Sequence, residues 1–439
     1  MGGGGDHISE LPDDILAIIL SFLSIRDAVR TRVLSRRWRY LYTRRSLLHF
    51  DASSVFGDGE DNVVKYSSGE ELRSIFVTAV DQAFLHCKGL KIRTLKVHYG
   101  LRNDYFCHID RWVESSIAME AETIDFNFSF LPQYCESYNF PCHLLPIGKD
   151  SSRFKHLSLS GCMLRIPPAY TSRLNCLSTL DLSHVPLRDS GLESIISGCS
   201  SLTWLRLINC SLPMTLCLNG QLLSLKVLIV EDVLRDVQMI SLNLECFEFS
   251  GHAQNFTFDD VPYLNKVLLT LPNASLKSSS ICSTLAMGTP GLQLLSLSLG
   301  IEMLPLPPSS TRFSCLKQLI LFIMVSTNLD LLAITHILNA SPVLEILQLK
   351  LGQGSNGGQR EKREYSSHQY LHLKEVEIKR FRDQWNEMEL AIYLLRNACV
   401  LQRMVVEVAE NHRMEDLKER VGNTLQKEKI NPHTELIVI

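Results

Sequence analysis

The sequence predicts an α/β solenoid, with parallel strands on a concave face and helices and loops on a convex face, preceded by a small three-helix domain. Three observations carry this. One pattern, apolar-x-x-apolar-x-apolar, recurs from Ile92 almost to the end of the chain. Segments of helical period alternate with it. The stretch from Ile8 to Tyr42 holds more apolar side chains than three short helices of that length can cover among themselves.

The composition of the 439 residues, 45% hydrophobic and 21% charged, suits a sizeable core or a long solenoid. A net charge of -3 argues against bulk electrostatic affinity for nucleic acid or an anionic membrane. The 13 cysteines are odd in number and form no CxxC pair, and no secretory signal is read at the N-terminus. Reduced thiols in the nucleus, the cytoplasm or both are therefore expected. Apolar runs such as Leu319 to Val325 are too short to cross a bilayer, so no membrane partner is expected.

Residues 1–7 read as a flexible glycine-rich tail and residues 8–50 as the three-helix domain. Pro12 sits near the first helical position, where its missing N–H costs nothing. Asp13 and Asp14 complement the positive end of the helix dipole. The series Ile15, Leu16, Ile18, Ile19, Leu20, Phe22 and Leu23 is apolar on more than one face. Ser24 and Asp27 have capping spacing for a second helix carrying Ala28, Val29 and Val33. Ser35 caps a third, with Trp38 and Leu41 inward. Arg26, Arg30, Arg32, Arg36, Arg37, Arg39, Arg44 and Arg45 crowd the region. They read as a solvated face of short helices rather than a nucleic-acid patch, because the chain is not basic and no aromatic platform is interleaved.

Leu11-Pro12, the Ile15 to Leu23 series, the Asp27-Ala28-Val29 step and Val33 to Arg39 together resemble the F-box, above all that of plant families. The resemblance implies docking onto the Skp-type adaptor of an SCF ubiquitin ligase and, through it, a cullin. It implies Leu11, Pro12, Ile15, Leu16, Ile19, Leu20, Val29, Leu34 and Trp38 as adaptor contacts.

Residues 51–71, with GDGEDN and SSGEE, read as a polar hinge. Helical period returns from Leu72 to Cys87. The six-residue pattern then begins at Ile92, Ala121, Phe154, Leu177, Leu202, Leu225, Leu244, Leu264, Leu292, Leu316, Leu344, Leu373 and Leu401. The steps run from about 19 to 33 residues, near the range of leucine-rich repeats, whose signature is LxxLxL. In LSTLDL, period two sends Leu180 and Leu182 inward and Thr179, Asp181 and Ser183 outward. One strand cannot bury its own apolar face; stacked neighbours can. Gly191 to Gly198 and Asp330 to Ala340 read as convex-side helices.

The solenoid is assigned residues 72–372, with substrate-binding candidates at the outward positions His156, Asp181, Trp204, Arg206, Ile229, Glu231, Phe322, Lys350 and Lys379. Trp204 beside Arg206 suits a binding hot spot, and equally a packing role against the adjacent repeat. Gly352 to Ser367 reads as a loop. Residues 373–439 resemble the FBD region that closes many plant F-box/LRR proteins: strand, helix over Asn386 to Asn397, strand. Asp383 stands where that family has glycine, which puts the local turn in question. A helix from Met414 to Lys427 and an apolar tail from Glu435 to Ile439 are expected to cap the solenoid.

No phosphate-cradling glycine loop, HExxH or GxSxG is present. Cys135, Cys142 and His143 fit no zinc spacing, and Cys107-His108 near Asp110 does not by itself make a nucleophile. The chain is therefore expected to be a non-catalytic substrate-recognition subunit with no cofactor and no metal. Its partners would be the Skp-type adaptor, through it a cullin, and a protein substrate of unknown identity. A scaffold or inhibitor outside the ligase, or a small-molecule-gated receptor of the same fold, are the alternatives.

Overall fold

Period-two alternation becomes parallel strands throughout the chain, and the inward residues of successive strands stack in rows. A computed structural model describes residues 8, 10–22, 30–31, 33–38, 47–57, 69–87, 91–129, 137–147, 153–187, 191–272, 278–299, 307, 311–325, 329–353, 368–410, 414–429 and 431–439. They fall into two units, Met1–Leu212 and Pro213–Ile439. The 1–7 tail, Val29, the Ser24 and Asp27 caps, most of the hinge (58–68) and most of the predicted 352–367 loop (354–367) lie outside the described residues.

The N-terminal unit contains α1 (Asp13–Phe22), β1 (Leu47–Asp51), α2 (Ala52–Phe56), α3 (Glu70–His86), β2 (Thr94–His98), α4 (Phe106–Ala118), β3 (Thr123–Asn127), β4 (His156–Ser160), β5 (Thr179–Ser183), α5 (Gly191–Gly198) and β6 (Trp204–Ile208). The six strands pair in sequence order, all parallel and without a register shift. One inward row is Leu48, Leu95, Ile124, Leu157, Leu180 and Leu205; the next is Phe50, Val97, Phe126, Leu159, Leu182 and Leu207. None is more than 1% exposed. Each is worth about 1.5–3 kcal/mol relative to exposure.

Just past β4, β5 and β6 the chain turns through the left-handed region, at Gly161 (φ 68°), His184 (φ 54°) and Asn209 (φ 50°). There the amide of Gly161 donates to Ser183 O at 2.9 Å and that of His184 to Ile208 O at 2.8 Å, adding a rung beyond each strand end. A side chain at Gly161 would meet the Ser129 backbone nitrogen at 2.7 Å.

The ladder begins earlier than the sequence pattern suggested. β1 pairs with β2 although it lies inside the stretch assigned to the three-helix domain. Asp51, expected in the hinge, ends β1 and caps α2, accepting the Ser54 amide at 2.7 Å while Ser54 Oγ accepts the Asp51 amide at 2.8 Å. LLHFD alternates correctly, but it is one short strand with no LxxLxL leading into it.

The C-terminal unit contains β7 (Thr215–Leu218), β8 (Val227–Val233), β9 (Asp236–Ile240), β10 (Cys246–His252), β11 (Asn255–Asp259), β12 (Lys266–Leu271), α6 (Ser278–Gly288), β13 (Leu294–Leu299), β14 (Gln318–Val325), α7 (Thr335–Asn339), β15 (Ile346–Gln353), β16 (Glu375–Phe381), α8 (Trp385–Asn397), β17 (Arg403–Val408), α9 (Met414–Glu428) and β18 (Glu435–Val438). Its ladder runs β8, β10, then β12 through β18, all parallel.

The tail from Glu435 to Ile439, expected to take part in the cap, forms β18 at the end of the ladder, in register with β17. From residue 215 to β12 the segments that alternate with the ladder strands are themselves strands rather than helices: β7, β9 and β11 form a second parallel sheet. Phe247 and Phe249 of β10 meet Phe256 and Phe258 of β11, with ring centroids 5.4–6.5 Å apart. Such edge and offset contacts of aromatics are favourable beyond area alone. Gly251, at φ 133°, lets β10 approach β8, since a Cβ there would lie 2.1 Å from Asp232 O.

The turn after β16 shows how Asp replaces glycine. Asp383 adopts φ 59°, a conformation that Asp tolerates better than most residues, and its carboxylate pairs with Arg420 of α9. The buried Glu387 accepts the amides of Arg382 at 2.6 Å and Gln384 at 3.3 Å, which fixes the start of α8.

Candidate interaction surfaces

At the N-terminal end, helical spacing separates two apolar faces. Leu16 and Leu20, four residues apart, pack with Trp38 and are 0%, 1% and 5% exposed; Leu11 and Ile19 lean on them. Arg37 ties the pieces together, its Nε donating to Asp13 Oδ1 at 2.8 Å and its Nη2 to Leu11 O. Trp38 N donates to Ser35 Oγ at 3.3 Å, the expected cap. Ile15 and Ile18, three residues apart, face solvent, as do Ile8, Val33 and Leu34. Pro12 is exposed as well.

Of the proposed adaptor contacts, Pro12, Ile15 and Leu34 are thus on the surface and Leu11 and Ile19 are partly buried. Leu16, Leu20 and Trp38 are turned to one another and hold these helical pieces together. Ile18 and Val33, not among the candidates read from the sequence, are exposed as well. Their signal was the spacing that sets Ile15 and Ile18 on one face and Leu16 and Leu20 on another.

All nine outward candidates on the ladders occupy outward strand positions. In the N-terminal unit, the row through the third strand position reads His49, Lys96, Asp125, Ser158, Asp181 and Arg206. Its charges largely satisfy one another. Lys96 Nζ lies 3.2 Å and His98 Nε2 3.1 Å from the Asp125 carboxylate, and Arg206 Nη1 donates to both oxygens of Asp181 at 3.1 and 3.2 Å. Burial pushes the Asp125 carboxyl up, but the hydrogen bond and charge of His98, with Lys96, hold it below the usual value. For Asp181 burial wins over Arg206 and the net shift is upward. Burial lowers His49 and His156. Trp204 remains 38% exposed beside this row.

In the C-terminal unit Ile229, Glu231, Phe322, Lys350 and Lys379 lie on outward positions of β8, β14, β15 and β16. Lys350 Nζ sits 5.9 Å above the Phe322 ring centroid. Gln318 donates to Gln348 at 3.4 Å, Gln348 to Glu377 at 2.9 Å, and Lys379 pairs with Glu377 at 3.1 Å.

His108 Nδ1 contacts Asp81 of α3 at 2.7 Å, while Asp110 accepts the Tyr138 hydroxyl at 2.6 Å. The arrangement serves packing of α3 on α4, with Trp112 Nε1 also donating to Asp81 at 2.7 Å. Burial pushes the Cys142 thiol up to about 11, and Cys135 lies outside the described residues. Among the described residues no group of His, Cys, Asp and Glu is arranged to hold a metal ion, no helix is long and apolar enough to cross a membrane, and the cysteines are free thiols.

A parallel repeat ladder behind a short helical segment with an exposed apolar face defines a leucine-rich-repeat protein with a docking motif. Comparison with known families agrees. The At1g61320/AtMIF1 LRR domain matches residues 85–434 and the F-box domain residues 8–49. The chain belongs to the plant F-box/LRR proteins, with an FBD-like C-terminal region.

Three relatives come from Arabidopsis thaliana. The putative FBD-associated F-box protein At1g61330 is 22% identical over 92% of this chain and 91% of its own length. The putative F-box/LRR-repeat protein At3g58880 is 28% identical over 58% of this chain, and F-box/LRR-repeat protein At3g58900 is 30% identical over 45%. The chain spans 50% and 64% of the lengths of these last two.

Proposed function

We propose that this chain is the substrate-recognition subunit of an SCF-type ubiquitin ligase. The observation that carries the proposal is the exposed apolar set Ile15, Ile18, Val33 and Leu34 inside a matched F-box, since such domains in general dock Skp-type adaptors. The adaptor links to a cullin, and the repeats hold a protein substrate. The chain acts by proximity: it raises the effective concentration of substrate lysines near a charged ubiquitin carrier and contributes no reacting group of its own. The free cysteines support residence in the reducing nucleus or cytoplasm.

The test is recovery of a Skp-type adaptor and cullin with the full chain. Replacing Ile15 and Leu34 by Asp places two charges on the exposed face while leaving Leu16, Leu20 and Trp38 packed. Recovery should fall by at least tenfold. Equal recovery by the wild type and this double variant would remove the docking assignment.

A further inference from the structure

The outward face of β12 through β15 is richer in apolar residues than the outward face of the N-terminal ladder. In register across these strands stand Lys266, Leu294, Gln318 and Ile346; then Leu268, Ser296, Ile320 and Gln348; then Thr270, Ser298, Phe322 and Lys350. Leu268, Leu294, Ile320, Phe322 and Ile346 are all partly exposed, at positions that in the N-terminal unit are mostly polar. Gly352 faces Met324 across the next pair. A Cβ there would lie 2.4 Å from the Met324 sulfur and 3.2 Å from Phe322 Cζ, so the missing side chain lets both lie flat toward β15. An adaptable thioether beside an aromatic ring suits a surface that receives another chain.

The charges on this face have one sign. Lys266 and Lys350 are its ionised outward residues, and among the described residues neither has a carboxylate within ion-pair distance. Lys350 is instead held over the Phe322 ring. The neighbouring acids lie beyond the edges: Glu248 on β10, Glu375 on β16 beside Ile346, and Glu377 on β16, which is engaged by Lys379 and Gln348. The two lysines stand at opposite corners of the patch. Three strand spacings of about 4.8 Å and four residue steps of about 3.3 Å put their Cα atoms roughly 19 Å apart. An extended chain covers that distance in about six residues.

Building on the receptor reading of the repeats, we propose that this face binds a segment of the substrate protein in which a short apolar run is bracketed by carboxylates. The apolar run lies on Leu268, Leu294, Ile320 and Phe322, and the bracketing acids reach Lys266 and Lys350. Glu248 and Glu377 repel acids placed beyond the lysines, which fixes the register of the bound segment.

The experiment selects from a random twelve-residue peptide display library on the full chain and measures the enriched peptides by fluorescence anisotropy. Enriched peptides should combine apolar residues with Asp or Glu. Their affinity should drop at least tenfold for the variant with both Ile320→Ser and Phe322→Ser, and at least tenfold for the surface change Lys350→Glu, which leaves the core untouched. The proposal is overturned if no peptide is enriched, if the enriched peptides are basic or indifferent to charge, or if they bind these variants as they bind the wild type. Adaptor recovery measured on the same variants should be unchanged. Loss of adaptor binding by the wild type alongside acidic, Lys350-dependent peptides would sink the ligase reading and leave this surface standing.

Discussion

In the N-terminal unit the outward third strand positions read His49, Lys96, Asp125, Ser158, Asp181 and Arg206; in the C-terminal unit, from β8 to β15, they read Ile229, Glu248, Leu268, Ser296, Ile320 and Gln348. Inward, the two are interchangeable: Leu, Ile, Val, Phe and Met, nearly all completely buried. The contrast separates what the ladder needs from what it carries. Stability asks only for the inward rows. The outward rows are free, and one unit uses them for charges that satisfy one another while the other, over β12 to β15, exposes apolar side chains.

The largest expected effects test the sameness. Phe126→Ala and Phe249→Ala each remove a fully buried ring and should cost about 3–5 kcal/mol in chemical denaturation. A large cost in one unit alone would break the equivalence of the two inward faces. Next comes Gly251→Ala, whose methyl would collide with Asp232 O at a φ unfavourable for side chains. It should cost about 1–3 kcal/mol. Gly220→Ala, with its nearest contact at 3.5 Å, should cost less in the same assay.

Smaller effects test the difference. Arg206→Ala breaks a partly exposed pair with Asp181 and should change stability by less than about 1 kcal/mol. Ile320→Ser should be similarly mild in denaturation yet alter binding, because its contribution is surface rather than core. The smallest effect is a pH slope. Burial holds His49 below its ordinary 6.5, so the folded chain resists protonation there more than the unfolded chain does. Stability from this group is present above pH 6.5 and is lost as pH falls through the lowered folded value. In thermal melts between about pH 7.5 and about pH 5, the melting temperature of the wild type should fall relative to that of His49→Gln as pH drops; a difference that stays constant with pH would show that His49 carries no slope.

The inward rows were legible in the sequence because strand period is two and every LxxLxL restates it. Leu180 and Leu182 could be placed from six letters. The β7–β9–β11 sheet was not legible: TLCL, DVQMI and NFTFD alternate, but they are short and lie between repeats where helices are the common filler. What selects strands there is tertiary, the phenylalanine cluster of β10 and β11. In the F-box region the resemblance to the family, letter by letter, identified the motif, while the division between Ile15 with Ile18 and Leu16 with Leu20 needed the helix placed against Trp38. Asp383 departs from the family glycine, and the turn is accommodated by the tolerance of Asp for positive φ, by the Arg420 partner and by Glu387, which accepts the amides of Arg382 and Gln384.

The register of the ladders also governs how the chain acquires its structure. Each strand pairs with one that follows at a separation such as the 29 residues between Gln348 and Glu377. Loop closure over such distances is entropically modest, and each new strand finds a template already formed. Folding within a unit can therefore begin at any well-packed pair and spread outward by addition. Hydrogen exchange should show protection graded along each ladder, with β18, which among the described residues pairs on one side only, opening before β14 and β15.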